Sequence, residues 1–397
     1  MASEATGATE ARGSQRGHAA GADAVAGAAS QPAGRPAARV LLCGYYGEHN
    51  LGDDALLQVL LSQLPPGWIP LVTAHDQQQV RSRFEAVWPD LQTVDRRSLK
   101  AVLAALPGCR ALVLGGGSLL QDSTSFRSLL YYAALILAAR ARGLTVLLWG
   151  QGLGPLRRRR SRLLARLLLA QADGISWRDG ASARLAASWG REAAQGSDPV
   201  WALPPLHWQG QGGPIVLCWR PVAMLGDQGW RLLLQALEGL AERSGRPVQW
   251  LPFHQDQDTD LLADLDRRGL LGEQLRRRSV QVQVETPEQA MQCFQGASLV
   301  LAMRLHGLIL AALAGSPCAA LSYDPKVAAA AEALGCPWLD LARLQPEPSG
   351  EAADLATSWE VLVDRPLAPL RRQQLSAETR VHAALLQRLP RRGSAGC

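Results

Sequence analysis

The tripeptide RLH at residues 304–306 combines a fixed positive charge with a group that can exchange a proton near neutral pH. It follows Leu299–Met303, an apolar run typical of a buried strand, and it opens a predicted helix. The planar guanidinium of Arg304 suits a carboxylate or a phosphate, and His306 could act as a general acid. The alternative is structural: His306 caps or packs locally, and Arg304 pairs with a carboxylate.

Three further cations follow apolar runs in the same manner. Lys326, one of only two lysines in the chain, lies in SYDPK one strand–helix unit after RLH. Arg178 follows ISW, and Arg220 follows an apolar run that ends at Trp219. Because ligands bind beyond the carboxyl ends of parallel strands, we expect these cations to lie at the same edge. Each alone could be a salt-bridge partner, but together they indicate a site for a small, highly anionic substrate.

The elements that must position these residues alternate regularly from Arg39 onward. Short apolar runs lead into Gly-rich or polar loops and then into helical segments, which predicts an α/β fold with parallel sheets covered by helices on both faces. We expect two Rossmann-like, doubly wound domains that face a cleft. The predicted strands are Val40–Cys43, Trp68–Val72, Ala111–Leu114, Thr145–Trp149, Gly174–Trp177, Pro214–Trp219, Val248–Phe253, Val280–Val284, Leu299–Met303 and Cys318–Ser322.

Shifts in composition divide the chain into five predicted parts. The first segment is rich in Ala, Gly, Ser and Gln and should be disordered. A Pro-, Gly- and Gln-rich stretch, LPPLHWQGQGG, separates the two domains, and the tail should form an amphipathic helix or helix pair over Leu367–Leu389. The predicted parts are a tail at 1–38, a first domain at 39–202, a linker at 203–213, a second domain at 214–345 and a helical tail at 346–397.

Composition excludes several classes of protein. With 397 residues, 47% of them hydrophobic, the chain can bury two cores, and its net charge of +6 is too modest for a duplex nucleic-acid binder. The seven cysteines are scattered without a CxxC pair, which argues against a disulfide framework or a zinc site. We find neither a signal peptide nor an uninterrupted apolar run of about 20 residues, and therefore expect a cytoplasmic protein.

Two further patterns have competing interpretations. The segment HQDQDTD, with His254, Asp256, Asp258 and Asp260, has a composition that could suit a metal, but we favour a polar loop at the start of a helix and predict no metal site. The basic helix predicted over Leu156–Gln171 could rest on an anionic membrane, although a solvated helix face is the interpretation we favour.

Seven motifs, in this order, resemble the polysaccharide pyruvyltransferases, specifically the CsaB-type enzymes of cell-surface polysaccharide modification. They are GYYGEHNLGDDALL, VLGGGSLLQDSTS, WGQGLGPL, ISWRDGAS, GSDPVW, AMRLHGLILAALAGSP and SYDPKV, and the resemblance covers residues 39–345. It implies a GT-B-like fold, phosphoenolpyruvate as co-substrate without a further cofactor, and a pyruvate ketal formed on a hydroxyl pair of a saccharide. The acceptor could be free or lipid-linked, so peripheral contact with the inner face of a membrane is compatible with the resemblance.

On the donor side, the resemblance carries over to five residues. Arg304 and His306 fall on the family's RLH element, which is associated with phosphoenolpyruvate binding and acid catalysis. Arg178 in the RD..S element and Lys326 in the YDPK element would contact the donor's anionic groups. Arg220 is the weakest assignment, because WRPVAMLGD is less regular than the family pattern.

On the acceptor side, the resemblance points to the first motif and to the GGGS loop. Asn50, Gly52, Asp53 and Gly116 are the expected acceptor-binding residues. Asp53 or Asp54 could orient or deprotonate sugar hydroxyls, whereas N-capping of the next helix is the alternative for both.

Two rival functions share the predicted architecture. A GT-B nucleotide-sugar glycosyltransferase would also have two Rossmann-like domains around a cleft, since fold does not determine function. A non-catalytic polysaccharide-binding protein is disfavoured because RLH, RD..S and YDPK are all intact.

Overall fold

The computed structural model describes residues 38–123, 125–344 and 351–390, and contacts gather the chain from Ala37 onward into one compact unit. It contains two sheets, one built before residue 196 and one after residue 214. The strands are β1 (Ala38–Tyr46), β2 (Trp68–Ala74), β3 (Gln92–Asp95), β4 (Cys109–Leu120), β5 (Thr145–Leu153), β6 (Gly174–Trp177), β7 (Ala194–Gln195), β8 (Ile215–Cys218), β9 (Val248–Trp250), β10 (Ser279–Gln281), β11 (Leu299–Ala302), β12 (Cys318–Ser322) and β13 (Trp338–Asp340).

Both sheets are doubly wound. The first has the strand order β3-β2-β1-β4-β5-β6-β7 and the second β10-β9-β8-β11-β12-β13, with parallel pairing between neighbours. In each sheet the chain order reverses beside the first strand of that half, β1 or β8, which is the switch point where such sheets bind ligands. The predicted α/β fold with two Rossmann-like sheets is confirmed.

The helices cover both sheets and form the tail. They are α1 (Leu51–Ser62), α2 (Gln77–Phe84), α3 (Leu99–Ala105), α4 (Phe126–Ala141), α5 (Arg159–Leu169), α6 (Gly180–Ala187), α7 (Gly226–Ser244), α8 (Gln255–Asp258), α9 (Leu261–Arg267), α10 (Glu273–Arg278), α11 (Pro287–Gln295), α12 (Leu305–Leu313), α13 (Pro325–Leu334), α14 (Glu351–Glu360), α15 (Pro369–Glu378) and α16 (Arg380–Leu386). Within the described residues, no helix has both the length and the hydropathy needed to cross a bilayer.

Several element boundaries differ from the sequence predictions for physical reasons. Strands β6 and β12 begin and end where predicted, but β4 and β5 continue into the GGGS and GQGL segments, which we expected to be loops. The two glycine-rich segments pair with each other, with Gly117 opposite Gln151, so each satisfies the other's backbone. The edge strand β3 has one exposed and three half-buried residues, and this short polar run lacked an apolar pattern to reveal it.

The predicted division of the chain agrees with the elements in part. Residues 203–213 contain no helix or strand, and apart from Ala38 at the start of β1 the strands of the two sheets fall inside 39–202 and 214–345, but these domain limits stay predictions. The predicted disordered tail lies outside the described residues except for Ala38, which begins β1. The helical tail contains the predicted pair, α15 and α16, after α14.

One hydrophobic cluster joins the two sheets. It contains Leu56 and Leu60 of α1 together with Leu308 and Ile309 of α12, all buried. Burying such side chains contributes about 1.5–3 kcal/mol each. The first helices after β1 and β11 are therefore held against each other by a shared core, and their amino-terminal ends lie close together.

Backbone hydrogen bonds reinforce this junction. The amide of Leu51 donates to the carbonyl of Phe253 at 3.1 Å, and the amide of Gln255 donates to the carbonyl of His49 at 3.0 Å. Asn50 and His254 form an antiparallel bridge between these bonds. The loop after β1 is thus paired with the loop after β9, which fixes the two halves to each other beside the switch points.

The carboxy-terminal helix α16 returns to the first sheet and inserts His382 beneath it. The fully buried imidazole contacts the Ser176 hydroxyl through Nδ1 and the Ser197 carbonyl through Nε2, both at 2.8 Å. A carbonyl can only accept, so Nε2 carries a proton, and in the neutral ring Nδ1 accepts from the Ser176 hydroxyl. Burial lowers the pKa of His382 below its ordinary value, which favours the neutral ring.

We expect the stability of the protein to fall as the pH drops below about 6.5, the pKa of histidine in an unfolded chain, because the unfolded state then binds a proton that the buried imidazole resists. His382→Gln should weaken this pH dependence while lowering stability at pH 7.5 by about 1–3 kcal/mol through lost hydrogen bonds. Urea unfolding at pH 7.5 and 5.5 measures both effects. The exposed His207→Gln serves as control, and an unchanged pH dependence in His382→Gln would contradict the expectation.

Candidate active site

A cavity of about 380 Å³ lies between the carboxyl ends of the strands of the two sheets, and we call it the cleft. It is lined by segments that follow β1, β4 and β6 of the first sheet and β8, β9, β11 and β12 of the second. This is the position at which doubly wound sheets bind ligands. The predicted site residues that line it are Arg178, Arg220, Arg304, His306, Lys326, Asn50 and Asp53.

Arg304 is held by a buried carboxylate. Its guanidinium forms a two-pronged ion pair with Asp258, with Nε 3.1 Å from Oδ2 and Nη2 against Oδ1, and Nη2 also donates to Gln257 at 3.1 Å. Asp258 accepts the backbone amides of Phe253 and His254 as well. Arg304 therefore does pair with a carboxylate, the structural role considered for it in the sequence. This ion pair fixes Arg304 in the wall of the cleft and largely compensates its charge.

Arg178 and His306 share one carboxylate. Nη1 of Arg178 lies 3.2 Å from Oδ2 of Asp198, and Nε2 of His306 lies 3.5 Å from the same oxygen. Burial alone would raise the pKa of Asp198, but the charges of His306 and Arg178 bring it below its ordinary value. Asp198 thus remains ionised and connects a cation of the first sheet with a proton-exchanging group of the second. Arg178 also donates to the Ser118 hydroxyl at 3.0 Å.

The first turn of α1 forms the opposite side of His306. Asn50 caps this helix, since its Oδ1 accepts from the Gly52 amide at 3.0 Å and its Nδ2 donates to Asp53 at 2.6 Å. A methyl group at residue 52 would overlap Nδ1 of His306, so glycine is required for the imidazole to lie there. Burial raises the pKa of Asp53, opposed by the charge of His306.

Asp53 and Asp54 have separate environments. Asp53 lines the cleft, whereas the Asp54 carboxylate is buried, pairs with Arg83 of α2 at 2.9 Å and is absent from the cleft lining. Burial raises the pKa of Asp54 to about 7. Neither aspartate is the helix cap, which is Asn50, so the N-capping alternative is wrong for both.

Arg220 and Lys326 complete the cationic lining. Nη1 of Arg220 donates to the Tyr323 hydroxyl at 3.0 Å, and the guanidinium lies 4.9 Å from the centre of that ring. Among the described residues no carboxylate forms an ion pair with Arg220, so its charge is free for a ligand. Nζ of Lys326 lies 3.6 Å from Asp324, and nearly half of the lysine side chain is exposed. The residue that the sequence assigned most weakly is the least compensated cation of the cleft.

Gly116 has a structural position behind the cleft. It has φ +79°, and a side chain there would press on Leu56 of α1, while the neighbouring Gly117 and Ser118 line the cavity. Gly116 itself does not line the cleft, because the GGGS segment packs closely under α1 at this residue.

The first motif, from Tyr45 to Asp54, was expected to line the cleft on the acceptor side, but sequence reasoning missed partners of its residues. Glu48 and Tyr45 lie in the first motif, but Glu48 pairs with Arg96 and Arg97, which no local pattern could reveal. Asp198 lies in the GSDPVW motif, but the sequence alone suggested no role for this aspartate.

Within the residues that the structure describes, no group of three or more His, Cys, Asp or Glu side chains is arranged to hold a metal ion. In the segment considered for metal binding, residues 255–258 form α8 with His254 at its start, so the helix-start interpretation is confirmed. Asp258 is already engaged with Arg304, and burial together with the charge of Arg304 lowers the pKa of His254.

The family model described as polysaccharide pyruvyl transferase matches residues 50–325, more than half of the chain, and this range includes Arg178, Arg220 and Arg304 of the cleft but ends one residue before Lys326. The chain belongs to the polysaccharide pyruvyl transferase family. It is thus a member of a transferase family, and the resemblance seen in the motifs is confirmed at the family level. No curated protein sequence matches it.

Solved structures of similar fold support the expected GT-B-like architecture. The crystal structure of Anabaena Alr3699/HepE in complex with UDP and glucose matches with a TM-score of 0.54 and 12% identity, over 89% of this chain and 95% of that chain. A putative UDP-N-acetylglucosamine 2-epimerase from Listeria monocytogenes has a TM-score of 0.54 and 12% identity, over 86% of this chain and 94% of that one. The UDP-GlcNAc 2-epimerase from Methanocaldococcus jannaschii has a TM-score of 0.52 and 10% identity, over 86% of this chain and 98% of that one. At such identities the likeness concerns the fold alone.

Removing the carboxylate that holds Arg304 should destabilise this family member strongly. Asp258→Ala leaves a nearly buried guanidinium without its counter-charge and two backbone amides without an acceptor, which should cost about 3 kcal/mol or more. Urea unfolding measures the change. As control, Glu273→Ala removes an exposed ion pair with Arg277 and should change stability by less than about 1 kcal/mol. Equal effects of the two substitutions would contradict the role of Asp258.

Proposed function

We propose that this transferase moves the enolpyruvyl carbon skeleton of phosphoenolpyruvate onto a hydroxyl pair of a saccharide, forming a pyruvate ketal on a cell-surface polysaccharide or its lipid-linked precursor. One observation carries the proposal: His306 lies in a cleft that is also lined by Arg178, Arg220, Arg304 and Lys326. A carboxylate and a phosphate on a three-carbon skeleton match such a set of cations. Of the two histidines that line the cleft, His306 is the one proposed to supply the proton that the reaction needs.

The atoms of the proposed reaction balance without a further reactant. A proton added to the methylene carbon of phosphoenolpyruvate makes it a methyl group and leaves the adjacent carbon cationic. One sugar hydroxyl attacks that carbon, and a second hydroxyl of the same sugar then displaces phosphate. Of the two hydroxyl protons released, one returns to the general acid and the other leaves with phosphate.

His306 is the proposed general acid. Nε2 faces the carboxylate of Asp198, which stabilises the imidazolium and orients the ring, while Nδ1 lies beside Gly52 at the amino-terminal end of α1. Only 14% of the side chain is exposed, so bulk water competes little for the proton. Asp198 is thus a positioning residue that acts through His306 and also through Arg178.

The cations have different proposed roles because their partners differ. Arg220 has the least compensated charge and would bind the carboxylate or phosphate of the donor most strongly. Lys326, with an exposed ammonium, would stabilise the departing phosphate. Arg304 is compensated by Asp258, so it would contribute directed hydrogen bonds more than net charge.

The acceptor side is proposed for the first turn of α1 and a neighbouring cavity. Asp53 lines the cleft, and its raised pKa makes it a better acceptor for a hydroxyl proton than an ordinary aspartate. A second cavity of about 390 Å³ shares Arg178 and Lys326 with the cleft and is also lined by Trp201. Two adjoining cavities with common cations provide room for a donor and a saccharide at the same time.

The direct test is incubation of the purified protein with phosphoenolpyruvate and a panel of saccharides, including lipid-linked ones. We expect release of phosphate and a saccharide whose mass increases by one pyruvate ketal, as measured by mass spectrometry. His306→Gln should lower turnover by about 10²–10⁴-fold while leaving donor binding by calorimetry largely unchanged. His207→Gln is the matched control outside the cleft. Release of a nucleoside diphosphate from nucleotide sugars, without consumption of phosphoenolpyruvate, would instead identify a glycosyltransferase.

Arg220→Gln should weaken binding of phosphoenolpyruvate by about tenfold to a hundredfold, since a hydrogen bond to a charged group contributes about 1.5–3 kcal/mol. The substitution breaks no ion pair within the described residues, so the thermal midpoint should change little. Calorimetric titration with phosphoenolpyruvate measures the affinity. Arg343→Gln, on an exposed arginine outside the cleft, is the control. Unchanged affinity in Arg220→Gln would remove this residue from the donor site.

A further inference from the structure

The positive charge of the chain is concentrated in one segment. Residues 123–172 contain nine arginines and no aspartate or glutamate. The positive charge of this segment therefore exceeds the net charge of +6 of the whole chain. The rest of the protein is therefore slightly acidic, and the basic character belongs to α4, α5 and the loops that precede them. Six of these arginines, at 157–160, 162 and 166, are exposed, and none forms an ion pair with a carboxylate of the described residues.

Exposed leucines lie among these arginines on α5. Leu163 is 61% exposed and Leu167 is 56% exposed, while the opposite face of the helix is buried against the sheet through Ala165 and Leu168. A solvated helix face has polar residues at such positions. The outer face of α5 instead carries two leucines that each follow an arginine, Leu163 after Arg162 and Leu167 after Arg166.

The neighbouring helix α4 presents an apolar stripe of its own. Leu130 is 46% exposed and Leu137 is 51% exposed, and Ala134 lies between them at helical spacing. Helices α4 and α5 pack against each other, and the guanidinium of Arg160 lies 4.3 Å from the centre of the Phe126 ring at the start of α4. The four exposed leucines and the surrounding arginines therefore lie on two adjacent helices that pack together, and we call this region the α4–α5 surface.

We propose that the α4–α5 surface binds the interface of an anionic lipid bilayer. Leucines at this density would enter the boundary between headgroups and acyl chains, and arginines beside them would pair with lipid phosphates. A symmetric contact with a second copy of the chain would instead place two sets of uncompensated arginines against each other. A nucleic acid or another soluble polyanion would leave the leucines in water.

The position of the surface relative to the cleft gives the contact a consequence for access. Gln121 lines the cleft, and the carboxylate of the adjacent Asp122 accepts the amides of Arg157 and Arg158 at 2.9 and 3.0 Å. Both helices also begin at the carboxyl edge of the first sheet, where the cleft lies. A bilayer bound at the α4–α5 surface therefore lies beside the mouth of the cleft.

Flotation of the full-length protein with vesicles tests this inference independently of any donor or acceptor. Vesicles of phosphatidylcholine alone are compared with vesicles of equal parts phosphatidylcholine and phosphatidylglycerol. We expect binding to the anionic vesicles only. Arg159→Gln combined with Arg166→Gln should lower the partition coefficient by about 25-fold, since each arginine near an anionic surface contributes about a fivefold factor.

Leu163→Gln combined with Leu167→Gln should lower the partition coefficient by at least about tenfold without lowering the thermal midpoint, since both side chains are exposed. Leu370→Gln, at a leucine that is 64% exposed outside this surface, and Arg343→Gln are the matched controls and should bind as the wild type does. Absence of wild-type binding to anionic vesicles overturns the inference. If the leucine variant binds anionic vesicles as strongly as the wild type, the inference also fails, and the ligand would be a soluble polyanion. If light scattering instead shows that the leucine variant has lost a dimer that the wild type forms, the surface is a contact between copies of the chain and the inference fails as well.

Discussion

The buried carboxylate of Asp198 is the interaction on which the arrangement of the cleft depends. It lies in the loop after the first sheet, yet it contacts Arg178 from that sheet and His306 from the second half of the chain. A carboxylate that is nearly excluded from water remains ionised only if cations compensate for its lost hydration. Asp198 thus requires both partners, and both partners are positioned by it. One negative charge couples a cation to the proton-exchanging group across the junction of the two sheets.

The rest of the junction keeps this contact at the right distance. Helices α1 and α12 share one apolar core, and the loop after β1 is paired with the loop after β9 through backbone hydrogen bonds. Gly52 leaves space for the His306 ring where any other residue would displace it. The carboxy-terminal helix adds a further constraint, because His382 holds the carbonyl of Ser197, the residue before Asp198. Apolar packing, backbone pairing and one buried histidine together restrict the position of a single carboxylate.

The lining of the cleft shows how partners alter the meaning of a charged residue. Arg304 and Arg220 follow strands in the same way in the sequence, but Arg304 is neutralised by a buried aspartate, whereas the partners of Arg220 are the Tyr323 phenol, its ring and the Pro221 carbonyl, none of them charged. The family motif ranked Arg304 first and Arg220 last. Their electrostatic environments suggest the opposite order for attraction of an anion, since a compensated guanidinium offers directed hydrogen bonds but little net field.

The sequence by itself determined the α/β class, most strands, the sheet edge where the cleft lies and the family. These follow from the period of the hydrophobic residues, from the Gly-rich and polar loops between them, and from contiguous motifs. It also placed Arg178, Arg304, His306 and Lys326 at that edge, since each directly follows a strand or its loop. Only the tertiary structure decided which charge faces which. Asp258 and Arg304 are 46 positions apart in the chain, and Asp198 and His306 are 108 apart, so no local pattern could pair them. Their pairing is set by how the two sheets pack. Local sequence encodes the elements, but burial and the field of neighbouring charges arise only when distant elements meet.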